Sequence, residues 1–154
     1  MIRLVAFDID GVLTDGCIYV DEGGNERKRI NLKDIDAVFE LKRKGYLLAA
    51  ITAEDTPMTD YFERRLPWNY FVCQKNKRKA LDEILSPLKI FPEEVCYVGD
   101  SEYDLEPIKY VGLGVCPADA INRVKRAADV VLEHAGGCGC VWDIVELLEA
   151  EEDK

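Results

Sequence analysis

Two aspartates, Asp8 and Asp10, directly follow an apolar run at residues 2–7, in the order Phe7-Asp8-Ile9-Asp10-Gly11. The apolar run predicts a buried strand, and open α/β sheets bind their ligands beyond the carboxyl ends of the strands. Two carboxylates at such an end can share a metal ion and a substrate phosphate, while Gly11 allows a sharp turn. The alternative is a pair of strand-end aspartates that cap the next turn.

A hydroxyl residue, Thr52, ends a second apolar run, Ala49-Ala50-Ile51-Thr52-Ala53. Its hydroxyl group and the backbone N–H groups that follow, beginning with Ala53, can hydrogen-bond to a phosphoryl oxygen. In the alternative interpretation, Thr52 only caps a helix or a turn.

A lysine, Lys77, begins a helical pattern at residues 77–88. An ammonium group beside a nucleophilic carboxylate would offset the repulsion between that carboxylate and a phosphate, and would stabilise developing negative charge. Lys75, Arg78 and Lys79 lie in the same stretch, so a solvated basic helix start is the alternative.

Two further aspartates follow a third apolar run, in Gly99-Asp100-Ser101-Glu102-Tyr103-Asp104. Mg²⁺ prefers oxygen ligands and often takes only one or two protein carboxylates, with water and substrate oxygens completing its shell. Asp100 and Asp104 can therefore complete a Mg²⁺ site. Helix capping is the alternative for Asp104.

The elements that must position these residues alternate along the whole chain. Strands are predicted at residues 3–7, 47–51, 70–73, 95–98, 112–115 and 130–132. Helices are predicted at residues 35–44, 58–66, 77–88, 105–109, 118–127 and 141–149. This alternation favours parallel strands joined by right-handed crossovers, and hence a three-layer α/β fold.

One segment interrupts the alternation. Residues 17–20 and 27–30 flank the turn-forming sequence Asp21-Glu22-Gly23-Gly24-Asn25, which predicts a β-hairpin flap over about residues 17–31. An isolated hairpin is marginally stable in water, so this one should pack on the body of the protein or on another subunit. With no linker or repeat, residues 1–154 are predicted to form a single domain without a large cap domain.

Composition limits the partners. The 154 residues carry a formal net charge of -10, which disfavours nucleic acids and anionic membranes as partners. No apolar run reaches membrane-spanning length, and a cytoplasmic protein is expected. The six cysteines lie mostly in strand-like apolar runs, which favours reduced, structural thiols.

In this order, D-x-D-G-V, Ile-Thr, Lys and G-D-x-x-x-D resemble the motifs of the haloacid dehalogenase-like superfamily. The D-G-V-x-T-D-G start and the hairpin after it are similar to the capless branch of that superfamily, which contains octulosonate 8-phosphate and nonulosonate 9-phosphate phosphatases. The resemblance implies a Rossmann-like fold and a Mg²⁺-dependent phosphomonoesterase that acts on a phosphorylated sugar acid through an aspartyl-phosphate. It also implies a homotetramer, in which each flap and each C-terminal tail cover a neighbouring site.

The resemblance assigns roles to the four aspartates. Asp8 would be the nucleophile, and Asp10 would protonate the leaving alcohol and then deprotonate the attacking water. Asp100, together with the Asp8 carboxylate and the Asp10 carbonyl group, would hold Mg²⁺. Asp104 would support this metal shell.

The resemblance also assigns residues that bind the phosphate group and a hinge in the C-terminal tail. Thr52, Ala53 and Lys77 would bind the phosphoryl group. The glycines of residues 136–139 would be a hinge for a flexible C-terminal tail from about residue 136, although a plain loop before a helix is the alternative.

The positions that should select the substrate depart from the family pattern. After the second motif this chain has Ala53-Glu54, and the segment Thr59–Phe62 lacks the arginine that the family has there. Without guanidinium groups to bind a sugar-acid carboxylate, other small metabolites such as sugar phosphates or nucleotides are the alternative substrates. A catalytically silent oligomeric domain is a further alternative.

Three residues are candidates for contacting the substrate: Asn31, Asp34 and Glu54. Asn31 and Asp34 follow the hairpin, and the alternative is that they cap the helix beginning near residue 35. The sequence does not assign roles to Cys138, Cys140 or Trp142.

Overall fold

The computed structural model describes all residues from 1 to 154. Eight strands are formed: β1 (Leu4–Phe7), β2 (Tyr19–Val20), β3 (Glu26–Arg27), β4 (Leu47–Thr52), β5 (Tyr70–Cys73), β6 (Val95–Val98), β7 (Leu113–Cys116) and β8 (Val130–Val131). Six α-helices are formed: α1 (Leu32–Arg43), α2 (Pro57–Arg65), α3 (Lys77–Leu88), α4 (Leu105–Tyr110), α5 (Asn122–Ala127) and α6 (Cys140–Glu152).

Six of the strands form one sheet in the order β5-β4-β1-β6-β7-β8, and every neighbouring pair is parallel. The predicted α/β fold with a parallel sheet is therefore confirmed. In the centre of the sheet, Phe7 pairs with both Ala50 of β4 and Val98 of β6. Because these three strands end at the same edge, the residues that follow them meet there.

The central strand β1 is buried on both of its faces. Val5 and Phe7 belong to the apolar cluster that also includes the buried sides of α1 and α6, whereas Leu4 and Ala6 belong to the cluster on the opposite face. A strand covered on both faces needs a continuous apolar sequence, and β1 has one. This rigid strand carries Asp8 at its end.

Two helices, α1 and α5, begin more than two residues away from their predicted starts. The side chain of Asn31 accepts a hydrogen bond from Lys33 N (2.8 Å), and this cap starts α1 at Leu32 instead of residue 35. The helix predicted from residue 118 begins only at Asn122, because the N–H group of Ala118 donates to the carbonyl group of His134 across the loop.

The C-terminal segment from residue 136 is a glycine-containing loop followed by a helix. Residues 140–152 form α6, and its apolar face is buried against α1 and the sheet. The glycines before it also have fixed positions: a Cβ atom added at Gly136 would lie 1.8 Å from the carbonyl oxygen of Gly11, and Gly137 N donates to Val12 O. These glycines permit a close approach of two loops.

The hairpin predicted after the first motif is present as the antiparallel pair β2 and β3. The Asp21 carboxylate closes its turn by accepting hydrogen bonds from Gly23 N and Asn25 N, both at 2.9 Å. The pairing of Thr14 with Ile30 fixes its base on the body. All six cysteines are free, and no helix is both long and apolar enough to cross a membrane.

Candidate active site

Asp8 lies at the end of β1 with its carboxylate group buried. Its N–H group donates to Val98 O (2.9 Å), which ties it to the end of β6. Its Oδ1 accepts hydrogen bonds from Ile9 N (2.8 Å) and from Lys77 Nζ (2.7 Å), whereas Oδ2 has no donor in the protein. One carboxylate oxygen is thus fixed and the other is free for a ligand.

Lys77 is a buried ammonium group and not part of a solvated surface. The side chain of Asn76 caps α3 by accepting from Lys79 N (3.0 Å), and Lys77, only 2% exposed, contacts Asp8 and Asp104 (2.7 and 2.8 Å). Burial acts to lower the pKa of Lys77, but the charges of Asp8 and Asp104 outweigh burial and raise this pKa above its ordinary value. Lys77 therefore stays charged.

Both oxygens of Asp104 are fully used by the protein. Oδ1 accepts hydrogen bonds from Lys77 and from the hydroxyl group of Tyr97 (2.6 Å). Oδ2 accepts from Asp100 N, Ser101 N and Ser101 Oγ. Asp104 thus shapes the loop that carries Asp100 and orients Lys77.

Asp100 has the opposite character. Its Oδ1 is buried without a hydrogen-bond partner, and carboxylate oxygens of Asp8, Asp100 and Asp104 lie within 4.8 Å of one another. Burial is the main cause that raises the pKa of Asp100 to about 6, and it also raises the pKa of Asp8 well above the usual range. Three carboxylates face one ammonium group, so this all-oxygen site fits a hard divalent cation.

Asp10 lies beside these carboxylates and is contacted by a side chain of the hairpin. Its Oδ1 accepts from the hydroxyl group of Thr14 (3.4 Å), and its Oδ2 accepts from Lys28 Nζ (2.9 Å). Lys28 also donates to the carboxylate group of Glu54. Sequence reasoning missed Lys28, because Arg27-Lys28-Arg29 is a run of three cations and nothing in the sequence distinguishes the middle one.

A cleft of about 270 Å³ lies at this edge of the sheet. It brings together seven of the predicted site residues: Asp8, Asp10, Thr52, Ala53, Glu54, Lys77 and Asp100. Thr52 is buried at the end of β4, and its hydroxyl group accepts a hydrogen bond from Glu54 N (3.3 Å). The cleft also contacts Tyr103, an exposed aromatic residue to which the sequence had assigned no role.

Two of the predicted substrate residues, Asn31 and Asp34, do not line this cleft. Asn31 is the cap of α1, as in the alternative interpretation. Asp34 is 1% exposed, and its carboxylate group accepts from Gly139 N (3.1 Å) and Val141 N (3.0 Å). It therefore caps α6, not the helix that contains it.

Replacing Asp34 with Asn is expected to destabilise the protein without changing the Michaelis constant. An amide has one acceptor oxygen, so one backbone N–H group at the start of α6 loses its partner, at a cost of roughly 1–3 kcal/mol. Urea denaturation measures the free energy of unfolding. Asp36→Asn, on the exposed side of α1, is the control, and a raised Michaelis constant at unchanged stability would contradict this role.

The side chains of His134, Cys138 and Cys140 make separate contacts. The ring of His134 hydrogen-bonds to Asp143, and the thiol group of Cys140 is buried and donates to Val12 O. Cys138 is exposed beside Arg29.

Comparison with known proteins places this geometry in a family. A family model for haloacid dehalogenase-like hydrolases matches residues 72–142. Over 154 residues the chain is 35% identical to 3-deoxy-D-manno-octulosonate 8-phosphate phosphatase KdsC of Escherichia coli K12, covering 99% of this chain and 82% of that protein. The chain belongs to this family of haloacid dehalogenase-like phosphatases. It is therefore a phosphoric monoester hydrolase.

Solved structures of phosphatases agree with this assignment. The 3-deoxy-D-manno-octulosonate 8-phosphate phosphatase of Moraxella catarrhalis, in complex with magnesium, phosphate and KDO, matches with a TM-score of 0.89 and 30% identity, over 96% of this chain and 85% of that one. The cobalt-bound phosphatase of Haemophilus influenzae matches with a TM-score of 0.90 and 27% identity, over 99% of this chain and 90% of that one. The resemblance inferred from the four motifs is confirmed.

Proposed function

We propose that this phosphatase is a Mg²⁺-dependent enzyme that hydrolyses a phosphorylated sugar acid through an aspartyl-phosphate at Asp8. The observation that carries the proposal is the Asp8 carboxylate. One of its oxygens is fixed by Lys77 and Ile9, and the other has no donor at the edge of a cleft. This is the arrangement that an oriented nucleophile needs.

In the first half of the reaction, Asp8 Oδ2 attacks phosphorus, and the bond from phosphorus to the ester oxygen breaks. Asp10 gives its proton to the leaving oxygen, so the sugar acid departs with a neutral hydroxyl group where the phosphate was attached. The Thr52 hydroxyl group, the N–H group of Ala53 and the Lys77 ammonium group bind the phosphoryl oxygens. Lys77 balances the negative charge that develops there.

In the second half, Asp10 removes a proton from water, and the water oxygen attacks phosphorus. The bond between phosphorus and Asp8 then breaks, which regenerates the Asp8 carboxylate and releases phosphate. Asp10 ends this half protonated and is ready to serve as the acid again. A single side chain can take both roles because its proton leaves with the alcohol and returns from water.

The residues fit Mg²⁺ as the cofactor. The carboxylate groups of Asp8 and Asp100, with the main-chain carbonyl group of Asp10, would hold the ion, and Asp104 would orient the Asp100 loop and Lys77. The orphaned Oδ1 of Asp100 is the observation that supports this ligand set. When bound, the ion supplies positive charge that offsets the repulsion between the substrate phosphate and the carboxylates.

The sugar-acid substrate is proposed from the relatives, and Glu54 is the candidate residue for its hydroxyl groups. One observation favours a second candidate, a phosphorylated metabolite without a carboxylate group: no arginine lines the cleft. The reactive residues of all four motifs line one cleft, which argues against a catalytically silent domain. They are Asp8, Asp10, Thr52, Lys77 and Asp100.

We also propose that the hairpins assemble the chain into a homotetramer. Ile18, Tyr19 and Val20 are large apolar side chains that lie exposed on this two-stranded hairpin. Exposed apolar side chains grouped on a marginal element are typical of a surface that another subunit covers.

A phosphate-release screen tests the proposed function. Purified protein is incubated with octulosonate 8-phosphate, nonulosonate 9-phosphate, simple sugar phosphates and nucleotides, with Mg²⁺ or with chelator. We expect phosphate to be released from the sugar-acid phosphates, and only when Mg²⁺ is present. Preferred release from sugar phosphates or nucleotides would favour the second candidate, and no release from any compound would contradict a phosphatase function.

A further inference from the structure

The hairpin carries one buried cation between two exposed ones. The side chain of Lys28 is 7% exposed, while those of Arg29 and Arg27 are 55% and 74% exposed. Its ammonium group contacts the carboxylate groups of Asp10 and Glu54 and so joins three segments: the loop after β1, the loop after β4 and the hairpin. Burying a long charged side chain is costly, and its two partners compensate for this cost.

The contact fixes a side chain that little else in the protein holds. The side chain of Asp10 is 32% exposed, and its only other protein partner is the hydroxyl group of Thr14, at 3.4 Å. Without Lys28 the carboxylate would be free to rotate into solvent, because an exposed aspartate has several accessible rotamers. Glu54, in turn, holds Lys28 from the opposite side of the ammonium group.

We propose that Lys28 is a positioning residue for Asp10, which it holds on the leaving-group side of the cleft. The inference rests on the proposed function, since it assigns Asp10 the transfer of a proton to the leaving oxygen. Lys28 itself gives up no proton. The Glu54 carboxylate continues to balance the charge of the Lys28 ammonium group while Asp10 alternates between carboxylic acid and carboxylate. The hairpin therefore stays in contact with the body throughout the reaction.

The leaving group provides a test that a purely structural role would fail. A simple alkyl alcohol needs a proton to depart, whereas nitrophenolate departs without one. The value of kcat/KM reports the steps up to formation of the aspartyl-phosphate, so the later hydrolysis does not mask the effect. If Lys28 acts through Asp10, its loss must slow alkyl phosphates much more than nitrophenyl phosphate.

The experiment compares Lys28→Met with wild type on nitrophenyl phosphate and on the best alkyl phosphate of the screen. Because general-acid catalysis contributes typically about 10²–10⁴-fold, we expect a loss of roughly 10²-fold in kcat/KM for the alkyl ester and little change for the nitrophenyl ester. Lys28→Arg should restore part of the alkyl activity. Arg27→Met, on the same hairpin but exposed, should change neither value.

Each other result has a defined meaning. Equal losses on both esters, or no loss on either, would overturn the positioning role while leaving the proposed function intact. No turnover of either ester by wild type would overturn the proposed function and this inference together. If Lys28→Met does not fold, Lys28→Gln keeps a hydrogen-bond donor without the charge, and a smaller loss confined to the alkyl ester is then expected.

Discussion

Replacing Asp8 with Asn is expected to reduce phosphate release by about 10⁴-fold or more, because removal of a covalent nucleophile has effects of this size. An amide is a very poor nucleophile toward phosphorus. The fold should survive, since the amide oxygen can still accept the hydrogen bonds that Ile9 N and Lys77 donate to Oδ1. Rates of phosphate release with the preferred substrate measure the effect.

The control for Asp8→Asn is Asp55→Asn. Asp55 is an exposed carboxylate that follows Glu54 and does not line the cleft. It should retain wild-type activity, and circular dichroism should show both variants folded. Activity of Asp8→Asn near the wild-type rate would exclude Asp8 as the nucleophile.

Replacing Lys77 with Met is expected to remove both activity and much of the stability. The ammonium group lies between two buried carboxylates, and loss of one partner of a buried ion pair leaves uncompensated charge at a cost of about 3–5 kcal/mol. Here both Asp8 and Asp104 lose their cation. Urea denaturation should show this loss in the free energy of unfolding, and phosphate release should fall to background.

A second substitution separates lost charge balance from lost packing. If uncompensated carboxylates cause the instability, adding Asp104→Asn to Lys77→Met should destabilise less than the sum of the two single changes. Lys75→Met, an exposed lysine two residues earlier, should leave the free energy of unfolding unchanged. Wild-type stability of Lys77→Met would contradict the buried ion-pair arrangement.

The centre of the site could be predicted because it depends on short-range patterns. Asp8, Thr52 and Asp100 each stand at or just beyond the end of a strand that its apolar sequence reveals, and parallel strands bring such ends to one edge. The predicted range of α3, residues 77–88, agrees with the structure because Asn76 provides a local cap. The sequence alone therefore places Lys77 at the first residue of α3, although it does not reveal Asp8 and Asp104 as its partners.

The remainder depends on contacts between distant parts of the chain. Asp34 was a candidate for contacting the substrate or for capping its own helix, but its partner Gly139 lies 105 residues further along. Tyr97 stands inside an apolar strand, where nothing local shows that its hydroxyl group reaches Asp104. The side chain of Lys28 becomes buried, unlike those of Arg27 and Arg29, only when the hairpin packs against the body. Local sequence patterns do not contain this information.

The central claim, a phosphoryl group carried by Asp8, is tested most directly by trapping it. Asp10→Asn removes the base that activates water, while nitrophenyl phosphate needs no acid to form the intermediate. Mixing this variant with nitrophenyl phosphate, quenching in acid and mapping peptides by mass spectrometry should show a burst of nitrophenol equal to the enzyme concentration and a phosphoryl group on Asp8. A phosphoryl group on another side chain, or turnover with neither burst nor adduct, would contradict the account.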